Sequence, residues 1–302
     1  MRVLVTGGAG HVGRFVVEHL LAEGHAVVAA GRALPEPGFS RPVEFHRLTL
    51  DPYHLAPAAL AGTTHLVHAA FAHVPGRYRG GEGDDPAGFS RANRDGSRAL
   101  FEAAKAAGIR SAVFLSSRAV YGSEPAGTSL HEKTVAHPDT LYGTVKHEAE
   151  ADLAALAGPD FVTTRLRVTG VYGATPGTGR HKWEALFADW LAGRAIAPRC
   201  GTEVHGEDVA QAVRLALFRT SAPSDLLLNV SDVVADRRDI LRMLAEESAC
   251  ENALPERGDP SALGIMRSDR LRALGWRPGG KRRLEDTVRQ LARAFIAGHG
   301  KG

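Results

Sequence analysis

Cysteine is nearly absent: Cys200 and Cys250 are the only two in 302 residues, too few for a disulfide framework or a four-ligand structural zinc site. Such usage fits a reducing cytoplasm. Aromatic residues make up only 6% of the chain, and no apolar run approaches the roughly 20 residues needed to cross a bilayer. No membrane span is expected, and a glycine cluster begins at Gly7, before the apolar core of a signal peptide would have formed. An excess of charge of one sign is also missing. The 37 basic side chains stand against 34 acidic ones, giving a formal charge of +3, so no dedicated nucleic-acid surface is expected. The 14 histidines show no His-Glu-x-x-His or comparable spacing, and no metal site is expected; His65, His68 and His73 should pack or face solvent. What the chain does have is 44% hydrophobic residues, enough for one large domain or two unequal ones.

The opening Arg2-Val3-Leu4-Val5-Thr6 is a short β-branched run. It stops at Gly7-Gly8-Ala9-Gly10-His11-Val12-Gly13, after which Phe15, Val16, His19, Leu20 and Leu21 recur at helical spacing. Gly24 ends that helix and Ala26-Val27-Val28-Ala29-Ala30 follows as a second buried strand, so residues 2–30 form one βαβ unit with a right-handed crossover. Further strands are predicted near 43–48, 65–68, 112–116 and 162–166, and helices over 91–107 and 142–156. This alternation predicts an α/β fold with a Rossmann-type doubly wound parallel sheet. Beyond Tyr172 the pattern loosens. Residues 174–180 are rich in Gly, Thr and Pro, 183–191 and 208–217 look helical, 198–204 irregular, and 226–230 is a strand that returns to the main sheet. The expected division is a dinucleotide-binding domain over 1–173, rejoined by 205–231, with a smaller, discontinuous substrate-binding cap from 174–204 and 232–302. A helix over 284–296 completes the cap, and Lys281-Arg282-Arg283 forms its exposed start.

A glycine pattern alone says little, but this one lies between a strand and an amphipathic helix, the context that binding a pyrophosphate demands. Gly7 permits the sharp turn, Gly10 lets the backbone approach the anion, and Gly13 lets the helix pack on the strand. The first N–H groups of the helix, at His11 and Val12, then face the phosphates. Cofactor choice is set at the end of the second strand, where a carboxylate would hold the ribose hydroxyls of NAD and repel the 2′-phosphate of NADP. Gly31-Arg32 occupies that place. A guanidinium matches phosphate oxygens in a bidentate way, so Arg32, together with Arg14, favours NADP(H); NAD(H) is the alternative if Arg32 is only a solvated loop side chain. Asp51 either contacts the adenine or opens a turn before Pro52.

Tyr142-Gly143-Thr144-Val145-Lys146 places a phenol and an ammonium one turn apart on one helix face. A free tyrosine, with a pKa near 10, exchanges protons poorly at neutral pH, whereas a neighbouring ammonium stabilises the phenolate and makes Tyr142 a usable acid/base. Phe114-Leu115-Ser116-Ser117 ends a strand at the carboxyl edge of the sheet, where ligands bind in doubly wound folds. A hydroxyl there can hydrogen-bond a substrate oxygen, and Ser117 is favoured over Ser116.

In these residues the chain resembles the extended short-chain dehydrogenase/reductases, also called the NAD-dependent epimerase/dehydratase family. The likeness runs through nearly the whole sequence. It takes in residues 6–13, His68-Ala69-Ala70, Asn93-Arg94-Asp95-Gly96-Ser97, Ser116-Ser117-Arg118-Ala119-Val120-Tyr121-Gly122 and the Tyr142/Lys146 pair. Residues 167–173, Val204-His205-Gly206-Glu207-Asp208-Val209-Ala210 and Leu274-Gly275-Trp276-Arg277-Pro278 extend it towards the C-terminus. The resemblance implies a catalytic Ser117, Tyr142 and Lys146, with Tyr142 exchanging a proton with the substrate oxygen as hydride passes to or from the nicotinamide. It further implies that Lys146 binds the ribose hydroxyls, and that Ala69, Ala70 and Val168 lie along the dinucleotide. Asn93 matches a family asparagine that positions water or backbone near the site, and a purely structural hydrogen-bond role is equally open. Tyr121 is equally a packing residue. A homodimer built on the helices near Arg91 and Tyr142 is also implied.

Two departures narrow the chemistry. Sugar-nucleotide epimerases in the family usually carry an arginine just before the segment matching Val204-His205, where this chain has Gly201-Thr202-Glu203; Arg257-Gly258-Asp259 loosely resembles their second phosphate-binding motif. Arg118-Ala119 occupies positions where dehydratases place acidic residues, which disfavours loss of water. The expected activity is hydride transfer to or from the carbonyl or secondary alcohol of a small polar, sugar-like molecule. The alternatives are a nucleotide-sugar epimerase with transient hydride transfer and a non-catalytic dinucleotide sensor, the intact Ser117, Tyr142 and Lys146 opposing the last. Residues 75–88, dense in Gly, Arg, Glu and Asp, form either a lid that brings Arg77, Tyr78 and Arg79 to an anionic substrate or a solvated linker. His181-Lys182-Trp183 are candidate substrate contacts on position alone.

Overall fold

The structure is a computed structural model and describes residues 1–53, 57–74, 81–219 and 223–299. Its strands are β1 (Arg2–Thr6), β2 (Ala26–Gly31), β3 (Glu44–Arg47), β4 (His65–His68), β5 (Ser111–Ser117), β6 (Ser129–Leu130), β7 (Val162–Val168), β8 (Gly170–Tyr172), β9 (Cys200–His205), β10 (Asp225–Val230), β11 (Val233–Asp236) and β12 (Ile265–Met266). The α-helices are α1 (His11–Ala22), α2 (Pro57–Leu60), α3 (Pro86–Ser90), α4 (Gly96–Ala106), α5 (Leu141–Ala155), α6 (Glu184–Leu191), α7 (Gly206–Leu217), α8 (Arg237–Ser248), α9 (Asp269–Ala273) and α10 (Gly280–His299). Seven strands pair in parallel in the order β10-β7-β5-β4-β1-β2-β3. The chain winds outward from β1 in one direction and from β4 in the other. The crevice between the carboxyl ends of β1 and β4 is therefore the switch point at which such sheets bind ligands.

Both faces of this sheet are covered, which is why its central strands are apolar without alternation: Val3, Leu4, Val5, Leu66 and Val67 are fully buried. One face packs Val3, Val5 and Val113 against Phe15, Val16 and Leu20 of α1 and Val209 and Val213 of α7. The other packs Leu4, Val28, Leu66 and Phe114 against Leu100, Phe101 and Ala104 of α4 and Ala149 and Leu153 of α5. A separate cluster of Tyr172, Trp183, Phe187, Trp190, Leu241, Leu244, Val288 and Leu291 joins α6, α8 and α10. No helix among the described residues is long and apolar enough to cross a membrane.

Three sequence expectations change. The irregular stretch expected over 198–204 is largely taken up by β9, which pairs in parallel with β8 and antiparallel with β11. Cys200-Gly201-Thr202-Glu203 has weak strand preference, and its two neighbours supply the pairing. The helix expected over 91–107 starts earlier, at α3, where the Asp85 side chain accepts from Gly88 N at 2.8 Å. It then passes through a π-helical turn, Arg91–Asp95, into α4. At the head of α10, Lys281 and Arg282 are exposed as expected, while Arg283 is partly exposed and its Nη1 lies 2.8 Å from Asp208 Oδ1. Of the proposed lid, residues 75–80, with Arg77, Tyr78 and Arg79, lie outside the described residues.

An ideal Cβ at Gly13 would sit 2.0 Å from Gly7 O, a backbone atom that cannot swing aside. Gly13→Ala should therefore cost about 3 kcal/mol, seen as a lower urea midpoint, while Gly10→Ala, whose Cβ would lie 3.2 Å from the same oxygen, should cost about 1 kcal/mol.

Candidate active site

The glycine turn is pressed against the end of β4. Gly7 has φ +71°, and a Cβ on it would meet Ala70 N at 2.6 Å and Ala69 C at 2.7 Å. Gly7 N donates to Ala30 O at 2.7 Å, Ala69 N to Thr6 O at 3.0 Å and Gly10 N to Gly7 O at 2.9 Å, so β1, β2 and β4 together fix the loop. Helix α1 opens at Gly10 with no side-chain cap and no acidic residue in its first turn. Its leading N–H groups, at His11, Val12 and Gly13, are thus matched to an anion, and the close-packed cradle fits a pyrophosphate. The His11 imidazole is engaged elsewhere: Nδ1 lies 2.5 Å from Thr175 Oγ1 and the ring meets Phe15 edge-on at 5.5 Å. Burial lowers its pKa. Val12 and Ala69 are half-buried against the core.

Arg32 is exposed just past β2 and has no ion-pair partner among the described residues. Arg14 corrects the sequence reading. Only 2% exposed, it donates to Pro176 O at 3.0 Å, to Gly38 O at 3.3 Å and to Pro37 O, and lies 5.3 Å over the Phe39 ring. A buried guanidinium needs acceptors, and these carbonyls engage it in tying α1 to two loops, so it does not join Arg32. Asp51 Oδ1 accepts from Tyr53 N at 2.9 Å, as a turn-opening aspartate does.

Helix α5 starts where the Thr140 side chain accepts from Gly143 N at 3.1 Å. Tyr142 follows at once, its ring edge-on to Phe71 at 5.0 Å. One turn later Lys146 is 4% exposed; Nζ donates to Leu115 O at 2.7 Å and lies 4.5 Å over Phe71 and 4.6 Å over Phe114. Burial pushes this amine down to about 7, opposed by the charge on Glu150. The two serines separate. Ser116 is 4% exposed and donates to Glu150 Oε1 at 2.5 Å, whereas Ser117 is half-buried at the end of β5 and accepts from Ala119 N at 3.1 Å. That acceptor role leaves the Ser117 hydroxyl proton for a second partner. Val168, the last residue of β7, stands beside Ser117 in the ladder.

Asn93 lies in the π turn and is 1% exposed. Its Oδ1 accepts from Ala72 N at 2.7 Å, and its Nδ2 donates to Ala72 O at 2.7 Å and Phe89 O at 3.0 Å. The amide therefore acts on backbone, holding the segment that follows β4. His68, fully buried, links Thr6 Oγ1 at 2.7 Å to Ser97 Oγ at 2.9 Å and stacks on Phe114. Burial, with a smaller push from Lys146, holds it down at about 3, so it is neutral.

Sequence reasoning missed Glu150 and Phe71 and gave Arg167 no role of its own. Arg167 and Glu150 form a buried bidentate pair, with Nε–Oε1 at 3.0 Å and Nη2–Oε2 at 2.7 Å. The signal for Glu150 was its place one turn beyond Lys146, on the face that carries Tyr142. The positional candidates His181, Lys182 and Trp183 are otherwise engaged. Lys182 Nζ lies 2.6 Å from both Glu203 oxygens, Trp183 is 6% exposed and stacks on Tyr172, and His181 packs on Phe187. Arg257 pairs with Asp239 at 2.8 Å and 2.9 Å. Tyr121 is buried, its hydroxyl 2.8 Å from Asn229 Oδ1.

A dinucleotide cradle at the switch point of a doubly wound sheet, beside a helix bearing Tyr142 and Lys146, makes this an NAD(P)-dependent oxidoreductase or epimerase of the extended short-chain dehydrogenase/reductase class. Comparison with known sequences agrees. The chain belongs to the NAD dependent epimerase/dehydratase family, whose profile matches residues 3–230. It is 30% identical to a dTDP-6-deoxy-L-talose 4-dehydrogenase (NAD(P)(+)) of Kitasatospora kifunensis, over 96% of this chain and 94% of that one. It is 27% identical to a UDP-glucose 4-epimerase of Streptomyces lividans, over 92% and 91%. The crystal structure of a Thermus thermophilus UDP-glucose 4-epimerase complexed with NAD superposes with a TM-score of 0.74 at 28% identity, covering 98% of this chain and 99% of that one.

Because Lys146 is held near 7 when folded and returns to about 10.5 when unfolded, the unfolded chain binds more protons between those values. In the cofactor-free protein this group makes stability rise with pH across that window, by at most about 1.4 kcal/mol per unit. Lys146→Met should flatten this component and stabilise the free protein at pH 7 by about 1–4 kcal/mol, measured by urea unfolding at several pH values.

Proposed function

We propose that the protein oxidises or reduces the carbonyl or secondary alcohol of a sugar-like substrate, with Tyr142 as acid/base, Ser117 as the hydroxyl that holds the reacting oxygen, and Lys146 as the charge that makes the phenol acidic. The observation that carries this reading is convergence. Tyr142 and Lys146 both meet Phe71, and Lys146 reaches the Leu115 carbonyl two positions before Ser117 on the same strand. When bound, the dinucleotide supplies the hydride acceptor or donor. Gly7, Gly10, Gly13 and the leading N–H groups of α1 would hold its pyrophosphate, Ala69, Ala70 and Val168 would lie along it, Arg32 would take a 2′-phosphate, Asp51 would stand towards the adenine, and Lys146 would reach the ribose. In the reaction Tyr142 gives or takes a proton at Oη, Ser117 donates to the substrate oxygen, and Phe71 keeps water from the amine.

NADP(H) is favoured through Arg32. A relative named for use of NAD(P)(+) is compatible with this, whereas the solved neighbour contains NAD. The names of the relatives point to nucleotide-linked sugars, with the dehydrogenase supporting net redox chemistry and the epimerases supporting return of the hydride to the same sugar. Residues 174–204 and 232–302 would form the cap that selects the substrate, and α4 and α5 the face of a cytoplasmic homodimer.

Tyr142→Phe should lower turnover by about 1,000-fold, assayed on a panel of UDP- and dTDP-sugars, while leaving dinucleotide affinity within about threefold; undiminished turnover would remove Tyr142 from the role. Fluorescence titration should show NADPH bound at least about tenfold more tightly than NADH, a margin that Arg32→Ala erases. Preference for NADH in the unaltered protein would reject Arg32. Stoichiometric change in nicotinamide absorbance marks a net redox enzyme, and sugar interconversion without it marks an epimerase.

A further inference from the structure

Beneath the candidate site, one carboxylate on α5 reaches two strands that carry its residues. Glu150 sits on α5, two turns beyond Tyr142 and one beyond Lys146, and is 2% exposed. Its Oε1 accepts from Ser116 Oγ at 2.5 Å, at the end of β5. The Arg167 guanidinium, on β7, grips both its oxygens, with side-chain exposures of 4% for Arg167 and 2% for Glu150. Ser116 and Arg167 are themselves partners in the β5–β7 ladder, and the next rung pairs Ser117 with Val168. The carboxylate thus joins helix to sheet one residue below the carboxyl ends of β5 and β7.

We propose that Glu150 is a positioning residue of the active site: it sets the register of α5, with Tyr142 and Lys146, against Ser117 and Val168, and keeps a negative charge beneath the Lys146 amine. The inference rests on the reading of Tyr142 and Lys146 given above. Stability alone is a weak reason for the pair, since a buried ion pair does no better on average than apolar side chains of the same volume. Placement gives it a purpose. Any slide or tilt of α5 disturbs hydrogen bonds to two strands at once, and the charge on Glu150 is preserved: desolvation raises its pKa, yet the hydrogen bonds from Arg167 and Ser116, with His147 3.8 Å away, leave it lowered overall. The groups around Lys146 leave Glu150 as its counter-charge. Tyr142 precedes it on α5, His68 and His73 approach from β4 and the segment after it, and Arg167 stands on β7 beyond Glu150. Leu115 O, Phe71 and Phe114 bring no net charge.

The test is the pH dependence of NADPH and NADH binding, followed by protein fluorescence between about pH 6 and pH 10, in the unaltered protein, Lys146→Met, Glu150→Gln and Glu150→Gln/Arg167→Met. Phosphates and ribose hydroxyls favour a protonated Lys146, so affinity should fall with rising pH above the free value of that amine, by up to about tenfold per unit, and Lys146→Met should abolish the break. Glu150→Gln should move the break down by about one unit and weaken binding at pH 8 by about tenfold. The double variant leaves no uncompensated guanidinium. Its melting temperature should recover towards that of the unaltered protein while the break stays low, an outcome that a merely structural role would not produce. A break at the original pH in either folded Glu150 variant overturns the inference and leaves the enzyme reading standing, provided Lys146→Met still removes it. Failure of the unaltered protein to bind either dinucleotide would overturn both.

Discussion

A positive charge kept out of water is the constraint on which the site depends. The Lys146 ammonium has lost its hydration shell and receives in exchange one carbonyl, Leu115 O, two aromatic faces, Phe71 and Phe114, and the field of Glu150. Leu115 O and Phe114 tie the helix to β5, and Phe71 ties it to the segment after β4. The same charge has a consequence for His68, which stacks on Phe114 and is held neutral by burial and by the nearby amine. Neutrality lets its ring bridge Thr6 and Ser97, so that β1, β4 and α4 share one buried chain of hydrogen bonds.

Around that centre, backbone rather than side chain sets the geometry. The glycine turn and the segment after β4 approach so closely that no Cβ fits at Gly7, and Asn93 then pins the following residue pair through the backbone of Ala72. The π turn at Arg91–Asp95 belongs to this arrangement, since one extra residue in the helix lets the Asn93 amide reach both Ala72 and Phe89. On the opposite side of the loop, His11 and Arg14 leave α1 to bind Thr175, Pro176, Pro37 and Gly38. The first helix therefore couples the glycine turn to the segment at Thr175 and Pro176.

Elements buried on both faces were legible in the sequence because burial leaves a continuous apolar record: β1, β2 and β4 are examples, and the strand over 65–68 has the predicted bounds. The segment Cys200–His205 carries no such record. It is a strand only because Gly170–Tyr172 and Val233–Asp236 lie beside it. Among side chains, the phenol and amine of α5 were visible through their spacing, and so in principle was Glu150. Arg14 was not, because a guanidinium one turn from a glycine loop looks the same whether it faces phosphate or three carbonyls. Trp183 and Lys182 were candidates by position until Tyr172 and Glu203 were seen to occupy them.

The linear order of residues was enough to determine the doubly wound sheet, the glycine turn after the first strand, and the place of Tyr142 and Lys146 one turn apart on one helix, because each depends on neighbours within one turn or one βαβ unit. Folding alone decided which serine was tied to the buried carboxylate, which arginines were engaged and where that carboxylate stood. Those outcomes depend on contacts between strands and helices far apart in the chain, where the loss of water makes every polar group find a partner that local spacing does not name.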